Sequence, residues 1–179
     1  MYGPDLESEI RYAGFIALHV LGGGSASRLR KLIRVDRGLA YEVGASLSPS
    51  ICEGFITGYV GTDPQHTDEV RNIIIAELNR LKVEPLQDAE LLRAKKSITG
   101  RYLIAEDYPE ARNARLASRH MYQDAVDPES FVDGIRAVTV EDVLDFAQAY
   151  LHTDKMLFVQ VNRDGNAVSV DTDKEGRSA

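Results

Sequence analysis

Cysteine is almost missing from this chain of 179 residues: Cys52 stands alone, so no internal disulfide can form and no cysteine-based zinc site can be assembled. Histidine is nearly as scarce. His19, His66, His120 and His152 lie far apart, and neither H-E-x-x-H nor H-x-x-E-H occurs, so the side chains that would generate a metal-bound hydroxide are missing. Each histidine reads as a surface or packing residue. No G-x-S-x-G elbow is present for a serine nucleophile, and nothing around Cys52 would activate its thiol. The glycine run from Gly22 does not fit G-x-x-x-x-G-K-[ST], which excludes a phosphate loop of that type. There is no apolar stretch long enough to span a bilayer, and the opening segment has acidic residues where an export signal needs a positive leader. Basic charge is in deficit too. With 21 Lys and Arg against 28 Asp and Glu, the net charge of −7 disfavours nucleic acid or an anionic membrane as the main partner, whereas a basic peptide is an easier guest. The expectation is a soluble protein, placed by default in the cytoplasm.

What is present suits one ordinary domain with a core, since 44% of the residues are hydrophobic and neither a short repeat nor a Pro/Gly/Ser linker divides the chain. Apolar residues at three-to-four spacing from Ile10 to Leu21 predict a helix over residues 5–21, stopped by Gly22, Gly23 and Gly24 through the backbone angles that glycine permits. A second helix follows from Ser25, with Leu29, Leu32 and Ile33 on one face and Arg28, Lys31 and Arg34 around the other, until Gly38 breaks it. Strands are predicted at Tyr41–Leu47 and in GFITGYVG, paired as a hairpin through Ser48, Pro49 and Ser50. Asp63–Pro64 and Asp127–Pro128 are helix starts. Two apolar stripes, Val70, Ile73, Ile74, Leu78, Leu81 and Leu91, Ala94, Ile98, Tyr102, Ala105, predict core-facing helices. Further helices are read at Glu110–Tyr122, carrying Ala114, Ala117, Ser118 and Met121, and at Val140–Leu151, with Val143, Leu144, Ala147 and Tyr150 inward. The strand MLFVQV, a weak strand at Ala167–Val170 and a polar tail complete the chain. The fold class is therefore α+β, with several helices on one face of a mainly antiparallel sheet.

The segment GGGSASRLRKLIRVDRGLAYEV places Arg34 seven residues before Tyr41 at one helix-to-strand corner. By residue type the pair has two readings. It is an ordinary surface arginine beside a strand-edge tyrosine, or it is a pair of donors aimed at a bound peptide, because a guanidinium and a phenol can both stabilise the charge that develops on an attacked carbonyl oxygen.

Taken in order, LGGGSASRL, IRVDRGLAYEV, GTDP opening a helix, DAELLRAKKSITGRYL and VTVEDVLDFAQAYL ahead of MLFVQV resemble the C-terminal domain of pitrilysin and insulinase-type zinc peptidases, the processing peptidases among them. The resemblance covers most of the chain. It implies a two-layer half-domain of the LuxS and processing-peptidase type over residues 1–163, followed by a polar, partly disordered tail at 164–179. It also implies a partner domain or subunit that carries zinc on an H-x-x-E-H motif, with the peptide substrate enclosed between the two halves along a strand edge. Arg34 and Tyr41 then take the role of holding the substrate carbonyl, with Gly22, Gly23 and Gly24 shaping the wall near them. No cofactor is expected in this chain, and the isolated chain is not expected to be an active enzyme. The resemblance leaves open whether the zinc half lies in cis or in trans. Two departures accompany it. Only Met1 to Pro4 precede the first predicted helix, where the family has a strand, and an open sheet edge there invites homodimer pairing. Metal ligands are absent, so a catalytic role needs the partner. The alternative is a scaffold subunit of the same fold, as in relatives within respiratory complexes.

Overall fold

A computed structural model describes residues 1–122, 128–161 and 167–171. Its centre is helix α1 (Ile10–Leu18), in which Ala13, Gly14, Ile16, Ala17 and Leu18 are all buried. A helix apolar around most of its circumference must be enclosed on several sides. Here the strand β2 (Ala40–Ser48) lies against one side, and helix α6 (Val140–Tyr150) packs along another. Beyond them, α2 (Thr67–Leu81), α3 (Asp88–Glu106) and α5 (Pro128–Ala137) close the core, and α4 (Pro109–Tyr122) packs on α3.

β2 pairs antiparallel with β3 (Gly54–Thr62), and the short strand β1 (Tyr2–Gly3) pairs on the far side of β3, so the order is β1-β3-β2 and β2 is an edge strand. Period-two alternation sends Val43, Leu47 and Ile56 into the core and leaves Tyr2, Phe55 and Tyr59 exposed on the other face. A separate two-stranded sheet joins β4 (Leu157–Val161) to β5 (Ala167–Asp171), also antiparallel. The α+β class is thus observed, with the described strands divided between two small sheets.

Several expectations need correction. The first helix begins at Ile10 and not at residue 5, because the Asp5 carboxylate accepts the Glu7 and Ser8 N–H groups at 3.1 and 2.8 Å and the Leu6 N–H donates to Ser50 O, which hold the lead-in as a turn. Met1 to Pro4 do supply a short strand: Tyr2 lies opposite Phe55, and Met1 exchanges backbone bonds with Ile56 at 3.1 and 2.8 Å. Gly22 and Gly23 do not stop the helix. They lie inside a π turn, His19–Gly23, closed by the Gly24 N–H on His19 O at 3.0 Å. The helix after Asp63–Pro64 opens with a 3-10 turn, Pro64–His66, in which the Asp63 carboxylate accepts the Gln65 N–H. Pro128 opens α5, while Asp127 lies outside the described residues, as do 162–163 and, of the expected tail, 164–166 and 172–179. The two apolar stripes do face inward, with Val70, Leu78, Leu81, Leu91 and Ala94 buried and the other members half-buried. In α6 the sequence reading missed Phe146, which is fully buried and stacks on Tyr150 with ring centroids 5.2 Å apart.

Candidate functional site

The site is built on the segment between Ser27 and Glu42. The Lys31 N–H bonds Ser27 O at 3.0 Å, an α-type turn, but from Arg30 to Val35 the winding becomes π, with the Asp36 N–H reaching back to Lys31 O at 2.9 Å. Leu29 and Ile33 anchor this short helix in the core. The chain then turns through Gly38, whose φ of +63° would strain any residue with a Cβ. It is fixed at the exit by the Leu39 N–H on Ile33 O at 2.8 Å and by the Thr62 hydroxyl donating to Leu39 O at 2.6 Å.

The strand that follows begins with an irregularity. Ala40 lies opposite Thr62 and Glu42 opposite Gly61, so Tyr41 is an extra residue in β2. Such a bulge re-aims the side chain it carries. Tyr41 is 76% exposed, and the Arg34 guanidinium carbon lies 4.9 Å from its ring centroid, within cation–π range. The structure therefore brings the two predicted site residues together. Among the arginines nearby, Arg28 is held by Glu90 and Arg37 by Glu69, whereas Arg34 has no hydrogen bond or ion pair among the described residues. Its N–H donors remain free to meet a ligand.

Gly22 packs against the same strand. A Cβ at that position would lie 2.8 Å from both Ala45 Cβ and Ala45 N, so close approach, and not an unusual φ, is what requires glycine there. Next to it, His19 Nδ1 is 2.8 Å from an Arg101 guanidinium nitrogen, which ties the π turn to α3. Burial and then the Arg101 charge lower the His19 pKa, so the ring accepts that bond in its neutral form.

The remaining histidines are dispersed. His66 meets Gln65, and His152 meets Ala149 O, while the side chain of His120 lies outside the described residues. Among the described residues no group of three His, Cys, Asp or Glu side chains is placed to hold a metal ion, and no helix is long and apolar enough to cross a membrane. Cys52 is free and exposed in the β2–β3 loop. What the sequence did not reveal is a charged cluster behind the site. Arg28 donates to Glu90 from Nε at 2.9 Å and from a terminal nitrogen at 2.7 Å, and its other terminal nitrogen faces Glu77 at 3.8 Å. Glu90 is 62 residues away in the chain, and no local pattern announces a pair of that separation.

The geometry is thus an arginine–tyrosine pair at a bulged edge strand, on a small antiparallel sheet backed by a helical layer. The profile of the family described as the peptidase M16 inactive domain matches residues 3–98, and the chain belongs to that family. An uncharacterized zinc protease of Bacillus subtilis, YmxG, is 26% identical over 173 residues, which is 93% of this chain and 41% of YmxG. Two crystal structures share the fold. A protease from Helicobacter pylori matches with a TM-score of 0.77 and 18% identity over 84% of this chain and 36% of its own. The peptidase M16 inactive domain from Pseudomonas fluorescens matches with a TM-score of 0.74 and 22% identity over 86% of this chain and 37% of its own. The chain thus spans well under half the length of these relatives.

Proposed function

We propose that this domain holds the peptide substrate of a zinc endopeptidase, with Arg34 and Tyr41 donating to the carbonyl under attack. The observation that carries the reading is the placement of a guanidinium with no carboxylate partner against the ring of an exposed tyrosine, at a bulge on an edge strand. A guanidinium and a phenol offer N–H and O–H donors, and donors in place before reaction stabilise developing negative charge without reorganisation. The outer edge of β2 carries no neighbouring strand among the described residues, and although the Gly22–Gly23 turn lies against it at Ala45, an extended peptide can add nearer Tyr41 through main-chain bonds while its carbonyl meets the two side chains.

Zinc, named in the description of the Bacillus relative, has no place among the described residues of this chain. Its ligands belong to the complementary H-x-x-E-H domain or subunit, where the metal would polarise the carbonyl and activate water. This chain's own contribution is to bind and orient the peptide and to hold donors at the carbonyl oxygen. The test is turnover by the enzyme complete with its zinc half. Arg34→Ala or Tyr41→Phe is expected to lower kcat by about tenfold to a thousandfold with zinc content unchanged, as for loss of an oxyanion donor. Unchanged kinetics in both variants would remove the basis for a substrate-holding role and leave a scaffold domain.

A further inference from the structure

Arg34 sits on a short helix whose apolar side, Leu29 and Ile33, is anchored in the core and whose polar side is tied at its two ends. The winding of Arg30–Val35 is π, Arg34 itself is half-buried, and the stretch from Val35 to Gly38 is exposed, with Val35 71% accessible. Its far end is tied by Gly38–Leu39 and by a surface pair, Arg37 to Glu69, in which both side chains are 48% exposed. An exposed ion pair of that kind restrains weakly. The head of the helix is held differently. The Arg28 side chain is only 15% exposed and makes a two-point fork onto Glu90, itself 19% exposed, at the start of α3. Glu77 of α2, 9% exposed, faces the same guanidinium at 3.8 Å and is approached from its other oxygen by Arg80 at 3.6 Å. Two helices of the scaffold therefore converge on one residue at the head of the segment that presents Arg34, six residues before it.

We infer that Arg28 is a positioning residue: its fork to Glu90, braced by Glu77, sets where the 28–35 helix lies and so holds Arg34 over Tyr41. The inference rests on the substrate-holding role proposed above. Geometry also explains why arginine is needed at residue 28. A planar fork fixes direction as well as distance, whereas a lysine ammonium at the same place makes point contacts and lets the helix head rotate. A displacement of about 1 Å at a reacting centre is worth about a hundredfold in rate.

A double-mutant cycle in the zinc-complete enzyme separates positioning from general stability. Arg28→Lys in the Arg34 background is expected to lower kcat/KM by about tenfold to a hundredfold, mostly in kcat. In the Arg34→Ala background the same substitution is expected to cost less than about twofold, because the group it positions is gone. Glu90→Gln, which keeps the shape of the partner and removes its charge, is run through the same cycle and decides the matter if Arg28→Lys does not fold. If Arg34→Ala is damaging but the Arg28 and Glu90 variants are harmless, or cost the same in both backgrounds, the positioning role is overturned and the reading of Arg34 stands. If Arg34→Ala itself has no effect, the reading of the site falls and the positioning role falls with it.

Discussion

Replacing Gly22 with alanine should destabilise the domain, while the same change one residue later should not. Both glycines lie in the π turn after α1, and neither has a positive φ, so alanine gains in both places from its better helix propensity and its less flexible unfolded chain, about 0.4–1 kcal/mol. What differs is the space. At Gly22 the new methyl meets Ala45 Cβ and Ala45 N at 2.8 Å; ordinary contact begins at 3.4 Å, so 3.4 − 2.8 leaves 0.6 Å to be found by moving the backbone of β2 or of the turn. Ala45 is paired to Gly58 within the sheet and cannot swing aside as a side-chain tip can. Overpacking against a fixed wall costs about 1–3 kcal/mol, which exceeds the gain and leaves a net loss of about 1–2 kcal/mol. For a domain of this size that lowers Tm by roughly 2–8 °C. At Gly23 the nearest atom is Ala45 O at 3.2 Å, only 0.2 Å inside ordinary contact, and the propensity gain should leave the variant neutral or slightly more stable. Thermal unfolding followed by far-ultraviolet circular dichroism, with urea titration to check that m is unchanged, measures both. A Gly22→Ala variant as stable as Gly23→Ala would refute close packing as the reason for glycine at residue 22.

Three further outcomes are expected. Phe146→Ala removes a fully buried ring between α1 and α6 and should cost about 3–5 kcal/mol in urea denaturation; a loss under about 1 kcal/mol would mean that the ring is not a core element. Thr139 caps α6 through a reciprocal pair, its hydroxyl accepting the Asp142 N–H at 3.1 Å while Asp142 Oδ2 accepts the Thr139 N–H at 2.7 Å, so Thr139→Ala should cost about 1 kcal/mol and no change would argue against the box. His19 titrates lower in the folded chain than in the unfolded one, by burial first and the Arg101 charge second. Between the folded value and the ordinary value of about 6.5 the unfolded chain binds more protons, so this contribution is complete above about pH 6.5 and is lost as pH falls through the folded value. His19→Gln should flatten that part of the pH profile of urea midpoints; wild type and variant falling in parallel would contradict it.

Much of the helical layer was legible because burial on one face leaves a period that the sequence must carry. Val70 to Leu81 and Val143 to Ala147 are examples, although Phe146 escaped by sitting beside the stripe and not on it. The hairpin was legible from its alternation, yet the extra residue at Tyr41 was not, because a bulge follows from how Ala40 and Glu42 pair across the sheet. The glycine run was noticed for the wrong reason: glycine serves backbone freedom and close approach alike, and only the position of Ala45 against Gly22 distinguishes them. π winding changes hydrogen-bond reach without leaving a pattern in residue type, so the helices around the site looked ordinary. Arg34 and Tyr41 were distinguished from other surface residues by family resemblance alone, and the structure adds that they are neighbours. Arg28, counted among the polar face of its helix, proved half-buried because its partners come from α2 and α3, far off in sequence.

The role proposed for Arg34 and Tyr41 is to bind the transition state more tightly than the substrate. The measurement that reaches it most directly compares, in the zinc-complete enzyme, the inhibition constant of a phosphinic peptide that mimics the tetrahedral intermediate with kcat/KM for the matching peptide, across Arg34→Ala, Arg34→Lys and Tyr41→Phe. If the two side chains act on the developing oxyanion, inhibitor affinity and kcat/KM fall together by about the same factor, tenfold to a thousandfold, while the affinity for uncleaved peptide changes far less. Variants that keep wild-type kcat/KM and inhibitor affinity, or that weaken substrate and inhibitor equally with kcat intact, would contradict it.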